Sequence, residues 1–151
     1  MPTIDRSLGA SPNPHGLTAQ NLIRLAGFTG DDAWRHTADA LFDALLPAAA
    51  ESLYSHLSLL NGLDLRLRAA ELVAVGHDVT RFAAVALRLP FIDRMVLRAP
   101  RADDLPPNHP ARAAFASLPE SAMLVCVGER CSLPVTQPDK IAEAVAGMRA
   151  A

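Results

Sequence analysis

Apolar positions in the first half of the chain recur at helical spacing. Between Leu17 and Phe28, the residues Leu22, Ile23, Leu25 and Ala26 form an apolar arc, preceded by the helix-blocking SPNP and followed by Thr29 and Gly30. Asp31 is placed to cap a second helix, in which Trp34, Ala38, Leu41, Phe42 and Leu45 recur at the same spacing until Pro47. A third run puts Ala49, Leu53, His56, Leu57, Leu60, Leu63 and Leu67 on one side; Gly62 weakens it and Leu63 to Leu67 also alternates like a strand, but helix is the better fit. Three such helices joined by short loops predict an antiparallel up-and-down array.

Beyond residue 68 the period changes. Glu71 to Val75 is a short apolar run ending at Gly76, and a helical segment from Thr80 to Leu89 is stopped by Pro90. RMVLR, from Arg94 to Arg98, predicts a second strand. After a loop holding Pro100, Pro106, Pro107 and Pro110 come a short helical piece, Ala111 to Ser117, and a third strand, Ala122 to Val127. The last helix is signalled by Thr136 with Asp139 three residues on as a capping box, and by Ile141, Val145 and Met148 on one face. The expected fold is therefore α/β: antiparallel helices over residues 1–68, then a small three-stranded, mostly parallel β-α-β-α-β-α unit over residues 69–151, packed together as one compact body.

Composition adds exclusions. The chain has 151 residues, half of them hydrophobic and a fifth charged, enough for a core without disulfides or metals. A formal net charge of −2 with no basic run leaves no electrostatic footprint for nucleic acid or an anionic membrane, and neither is expected as a partner. The amino terminus MPTIDRSLGASPN lacks an apolar core after its charge, and the longest apolar stretch, Phe82 to Ile92, is broken by Arg88 and Pro90, so secretion and membrane spanning are disfavoured. Two cysteines are too few for a disulfide scaffold, which makes a reducing cytoplasm the expected compartment. Among the basic residues only Lys140 is a lysine, so the body of the chain offers no Schiff-base group.

Candidate chemistry is sparse. Cys126 and Cys131 form a C-x4-C pair across the turn Gly128-Glu129-Arg130, a spacing that allows proximity without requiring it. A redox pair of the thioredoxin kind has two intervening residues at a helix start, so two reduced structural thiols are the expectation and a redox role for Cys126 and Cys131 is the lesser reading. Zinc would need two further ligands, from His77 or His109, and no metal or other cofactor is expected. His56 lies on an apolar arc, as a hydrogen-bonded core histidine would. Asn13 and His15 sit just ahead of a helix start, where they can contact a ligand or simply make the turn. Gly76, at a strand end before a helix, is a third ligand-binding candidate, since helix amides there can receive a phosphate, although no glycine-rich nucleotide motif accompanies it. Asp103 and Asp104 read as solvated loop, and Glu120 and Glu129 offer no better geometry for paired-carboxylate chemistry.

Three segments together carry a family resemblance: SPNPHGLTAQNLIRLAGFTGDDAWR, the strand ELVAVG followed by His77 and Asp78, and the closing AMLVCVGERCSLPVTQPDKIAEAV. From about Ser11 onward the chain resembles the carboxy-terminal end of the thioredoxin-domain-containing, spermatogenesis-associated protein family. The closing segment is the most specific, because C-x4-C followed by Leu-Pro-Val-Thr and a helix is an unusual combination. Members have a thioredoxin-like domain, then a six-hairpin (α/α) toroid similar to sugar epimerases and glycosidases, then a tail like this one. The resemblance implies that residues 1–68 are the end of such a toroid, that Ser11, Asn13 and Gly16 match its helix-entry motif facing the cavity, and that Cys126 and Cys131 match the terminal cysteine pair. It further implies a truncated or split member without independent catalysis, whose partner is a larger toroid chain or a second copy of itself. The alternative is a self-sufficient α/β module binding a sugar-like or phosphorylated small ligand near Asn13, His15 or Gly76.

Overall fold

The computed structural model describes residues 13–150 apart from 92, 119, 120 and 129. The chain is α/β and divides into two compact units, whose described residues are 13–26 with 31–67, and 27–30 with 68–150.

The first unit is helical. α1 spans Pro14–Thr29, α2 Asp32–Glu51 and α3 Leu57–Arg68, with a 3-10 turn over Leu53–His56 leading into α3. The Asp31 carboxylate accepts from the Ala33 amide at 2.9 Å and caps α2 as its sequence position predicts. Pro47 does not end α2. The proline is exposed and followed by three alanines, strong helix formers that carry the helix one further turn to Glu51. α1 and α3 approach through small residues: a Cβ on Gly16 would lie 2.4 Å from the Ser58 carbonyl carbon, and one on Gly62 would lie 3.5 Å from the Ala19 Cβ. Because Gly16 meets Ser58 while Ala19 and Gln20 meet Gly62, the two helices run in the same direction with α2 as the return. Arg66 of α3 clamps Asp39 of α2 with Nε–Oδ1 2.8 Å and Nη2–Oδ2 3.0 Å, and this holds the Asp39 carboxyl below the usual aspartate range.

The second unit is a four-stranded sheet in the order β2-β1-β3-β4, with β1 Ala70–Gly76, β2 Arg94–Ala99, β3 Ser121–Val127 and β4 Arg130–Cys131. β1 and β2 are parallel and joined by α4, Val79–Arg88. The expected mostly parallel arrangement of three strands does not extend to the third: β3 runs antiparallel to β1, Ala70 facing Val127 and Gly76 facing Ser121, and a short fourth strand continues the antiparallel side. The reason lies in the connection. β2 ends beside the carboxyl end of β1, yet His109 touches Glu71 at the opposite end, so the proline-rich loop has already traversed the face. The 3-10 segment Pro110–Ser117 then climbs back, and β3 can only descend.

Alternation along the strands separates two cores. On one face Ala70, Leu72, Ala74, Met123 and Val125 pack against Phe82, Ala83 and Ala86 of α4 and against Ile141 and Val145 of α5, Ile141–Ala150. On the other, Val73, Val75, Met95, Leu97, Leu124 and Cys126 are covered by Leu105, Ala111 and Phe115. The predicted Thr136 capping box does not form. A 3-10 turn, Pro138–Lys140, starts at Gln137 without a side-chain cap and leads into α5. The far end of α5 is tied down instead: Arg149 pairs with the buried carboxylate of Asp93 and lies 4.8 Å from the Phe91 ring centroid. Among the described residues, no helix is long and apolar enough to cross a membrane.

Candidate functional site

The residues singled out in the sequence fall at three places. Asn13 and His15 come together at the start of α1. The Asn13 carbonyl accepts from Leu17 at 3.2 Å, its side-chain Oδ1 accepts from the His15 amide at 2.9 Å, and His15 Nδ1 lies 3.2 Å from the same oxygen. Ser58, at the start of α3, donates to the Asn13 carbonyl at 3.4 Å, so two helix starts share this rim. Asn13 thus acts as a helix cap, with Pro14 in the first turn where its missing amide costs nothing. Gly16 is buried against Ser58; Ser11 lies outside the described residues.

Gly76 has φ +86°, a left-handed conformation that explains a glycine between β1 and α4. Asp78 occupies the cap position of α4 and forms a 3.8 Å ion pair with Arg81, which sets a carboxylate where a phosphate would approach the helix amides. His77 is exposed, while His56 is buried with Nδ1 2.9 Å from the Ser52 carbonyl, the expected satisfied core histidine. Glu120 and Glu129 lie outside the described residues.

The cysteines form the third place, and here the expectation of reduced thiols is corrected: Cys126 and Cys131 are joined in a disulfide. The cause is register. A tight turn at Gly128, φ +60°, folds β4 back onto β3 and sets Cys126 directly opposite Cys131 with Cα atoms 4.0 Å apart. Cys126 is 1 % exposed, whereas Cys131 is half-buried at the sheet edge.

One pair was not legible as a site in the sequence. Glu71 opens the apolar run of β1, and its register partner across the β1–β3 ladder is Cys126, on the same face of the sheet. Glu71 Oε2 lies 3.0 Å from His109 Nε2, with side-chain exposures of 16 % and 4 %. The Ala111 amide donates to His109 Nδ1 at 3.1 Å, so that nitrogen carries no proton and Nε2–H must be the donor to the carboxylate. A carboxylate, an imidazole of fixed tautomer and a disulfide therefore share one apolar face. The available signal was an acidic residue at an inward position of a central strand, which only a knowledge of strand order turns into a neighbour of cysteine.

The sulfurs, being bonded to each other, are not thiolate ligands, and the described residues hold no group of three or more His, Cys, Asp or Glu able to bind a metal. Beside edge strand β2 a depression is lined by Phe28, Leu87, Arg94, Met95 and Val96; the Arg94 guanidinium there donates to the carbonyls of Phe91 and Leu87. Comparison with protein-family models, with curated proteins and with solved structures finds no match to this chain.

Proposed function

We propose that the chain is an association module, the carboxy-terminal part of a thioredoxin-domain and six-hairpin-toroid family protein, whose helices complete a helical toroid supplied by a larger partner chain. The observation that carries this reading is the exposed apolar surface of the helical unit. Leu17, Trp34, Leu53, Tyr54, Leu57 and Leu67 are all at least 39 % exposed, Tyr54 reaching 83 %. Six side chains of this size left in water within one three-helix unit favour a neighbour that buries them. Three hairpin helices cover only part of a closed ring, so the helical faces that would meet the next hairpins remain open. The role is one of completing and binding, without independent turnover, in the cytoplasm and without nucleic acid or membrane as partner.

The small-ligand alternative has less support, because the Asn13 side-chain oxygen is engaged in capping α1 and the approach to Gly76 carries the Asp78 carboxylate. Sedimentation equilibrium across micromolar concentrations tests the association. Self-association, or co-sedimentation with an (α/α) toroid lacking its last hairpins, is expected and should be lost in the Leu53→Asp, Leu57→Asp double variant with helical circular dichroism intact. A monomer that ignores such a toroid, or tight monosaccharide binding by the monomer, would overturn the reading.

A further inference from the structure

We infer that Cys126 and Cys131 are a reversible thiol–disulfide exchange site for an external dithiol, with Glu71 as the proton-exchanging group of the buried sulfur and His109 as the residue that positions it. Three observations converge. The two sulfurs differ in access: Cys131 is half-buried on a two-residue edge strand, while Cys126 is enclosed, so an incoming thiolate has one sulfur to attack. The link joins positions five residues apart that the hairpin register already holds opposite each other, so its opening releases little chain and leaves the β1–β3 ladder in place. And the cross-strand register partner of Cys126 is Glu71, about 5 Å away between Cβ atoms in such a pair, on a face whose other strand positions are all apolar; its Oε2 is held by His109 and its Oε1 faces Gly27.

The exchange balances as follows. A thiolate of the dithiol attacks Cys131 Sγ, the Sγ–Sγ bond breaks, and its electron pair leaves on Cys126 Sγ. A thiolate enclosed among apolar side chains, one strand over from a carboxylate, is disfavoured, so Cys126 takes up a proton, passed from solvent by Glu71, whose side chain is 16 % exposed. The second thiol of the dithiol loses its proton and attacks the dithiol sulfur bonded to Cys131; Cys131 leaves as thiolate and is protonated by solvent. The dithiol ends as a disulfide and the protein as two thiols, with two electrons and two protons transferred. In reverse, the Glu71 carboxylate accepts the Cys126 proton before sulfur attacks. His109 acts through Glu71 and not on sulfur. Its Nε2–H fixes the carboxylate, and the Ala111 amide fixes His109. Of the charged groups nearby, Arg112 is engaged by the Leu105 carbonyl and Asp103, and Arg130 of β4 is exposed and pairs in register with Val127, on the opposite face of the sheet. In the reducing compartment proposed above, disulfides are characteristically of this transient kind.

The experiment uses the full chain, dithiothreitol as reductant and its oxidised form as oxidant, with quenched alkylation and mass spectrometry reading the thiols. Reduction without urea, unchanged circular dichroism and re-formation of the same bond are expected. Glu71→Gln should slow re-formation at neutral pH by roughly tenfold or more. His109→Leu should slow it while His109→Gln, which keeps a donor, restores most of the rate. A bond that opens only in denaturant overturns the proposal, as does a Glu71→Gln chain with the wild-type rate. Should Glu71→Gln not fold, equal rates for both His109 variants and wild type overturn it.

Discussion

Replacing Arg149 by Met removes the charge that pairs with Asp93 and should destabilise the sheet unit more than any surface change. Asp93 is 6 % exposed, its carbonyl accepts the Ala70 amide at 3.1 Å where β1 begins, and its carboxylate pairs with Arg149 at the end of α5. Methionine fills much the same volume, so the perturbation is electrostatic. Breaking one side of a buried ion pair costs about 3–5 kcal/mol, because the carboxylate keeps its desolvation penalty and loses its partner. The stacking of Arg149 on Phe91 contributes about 0.5–2 kcal/mol to the same contact and is not additive with it. One term opposes: Arg149 Nε is itself buried without a hydrogen-bond partner among the described residues, and methionine removes that defect. A net loss of about 3 kcal/mol is expected, which at 2–4 °C per kcal/mol lowers the melting midpoint by roughly 6–12 °C. Urea melts followed by circular dichroism measure it, and Asp93→Asn supplies the cycle. The Asp93→Asn, Arg149→Met double variant should be more stable than Arg149→Met alone, since no buried charge is left over. A single-variant loss below about 1 kcal/mol, or a double variant no better than Arg149→Met, would refute the reasoning.

Gly16→Ala should destabilise the helical unit by about 1–3 kcal/mol in thermal melts, because its Cβ would meet the Ser58 and Leu59 backbone at 2.4–2.6 Å and the roughly 1 kcal/mol of helix propensity gained does not offset that clash. The Asp39 carboxyl, held low by its bidentate bond from Arg66, should contribute stability that is present above the unfolded aspartate value and lost as pH falls through the lower folded one; carbon-detected NMR should find it moving up again in Arg66→Met. Both side chains are 30–40 % exposed, so the accompanying loss of stability should stay within about 1 kcal/mol. Cys126→Ser with Cys131→Ser should cost about 2 kcal/mol in urea melts by the entropy of so short a loop, leaving the folded baseline intact.

What the sequence made legible follows from which signals are local. The Asp31 cap, the apolar arcs of α1 and α2, and β1 ending at a glycine were all visible because each is set within a turn or a strand by residues next to one another. The stop expected at Pro47 failed because a proline on an exposed face lets a run of alanines carry on past it. Strand direction was not local at all. Periodicity reports which side of a strand is buried and is blind to which way the chain enters it, so the double traverse of one face by residues 100–118 was counted as a single crossover.

The same blindness governs the chemistry. C-x4-C is compatible with two free thiols or with a hairpin disulfide, and the choice between them rests on the turn at Gly128 that pairs Cys126 with Cys131. Glu71 and Cys126 are far apart in sequence and become neighbours only because β3 is antiparallel to β1. Had β3 been parallel, as the pattern suggested, the amino-terminal end of β1 would have faced the start of β3 rather than its last turn of chain. Cys126 would then sit at the opposite end of the ladder from Glu71 and His109. The strand reversal that sequence reading missed is therefore the same feature that assembles a carboxylate, an imidazole and a disulfide on one face. A variant that keeps all four residues but alters this register would separate the groups without changing any of them.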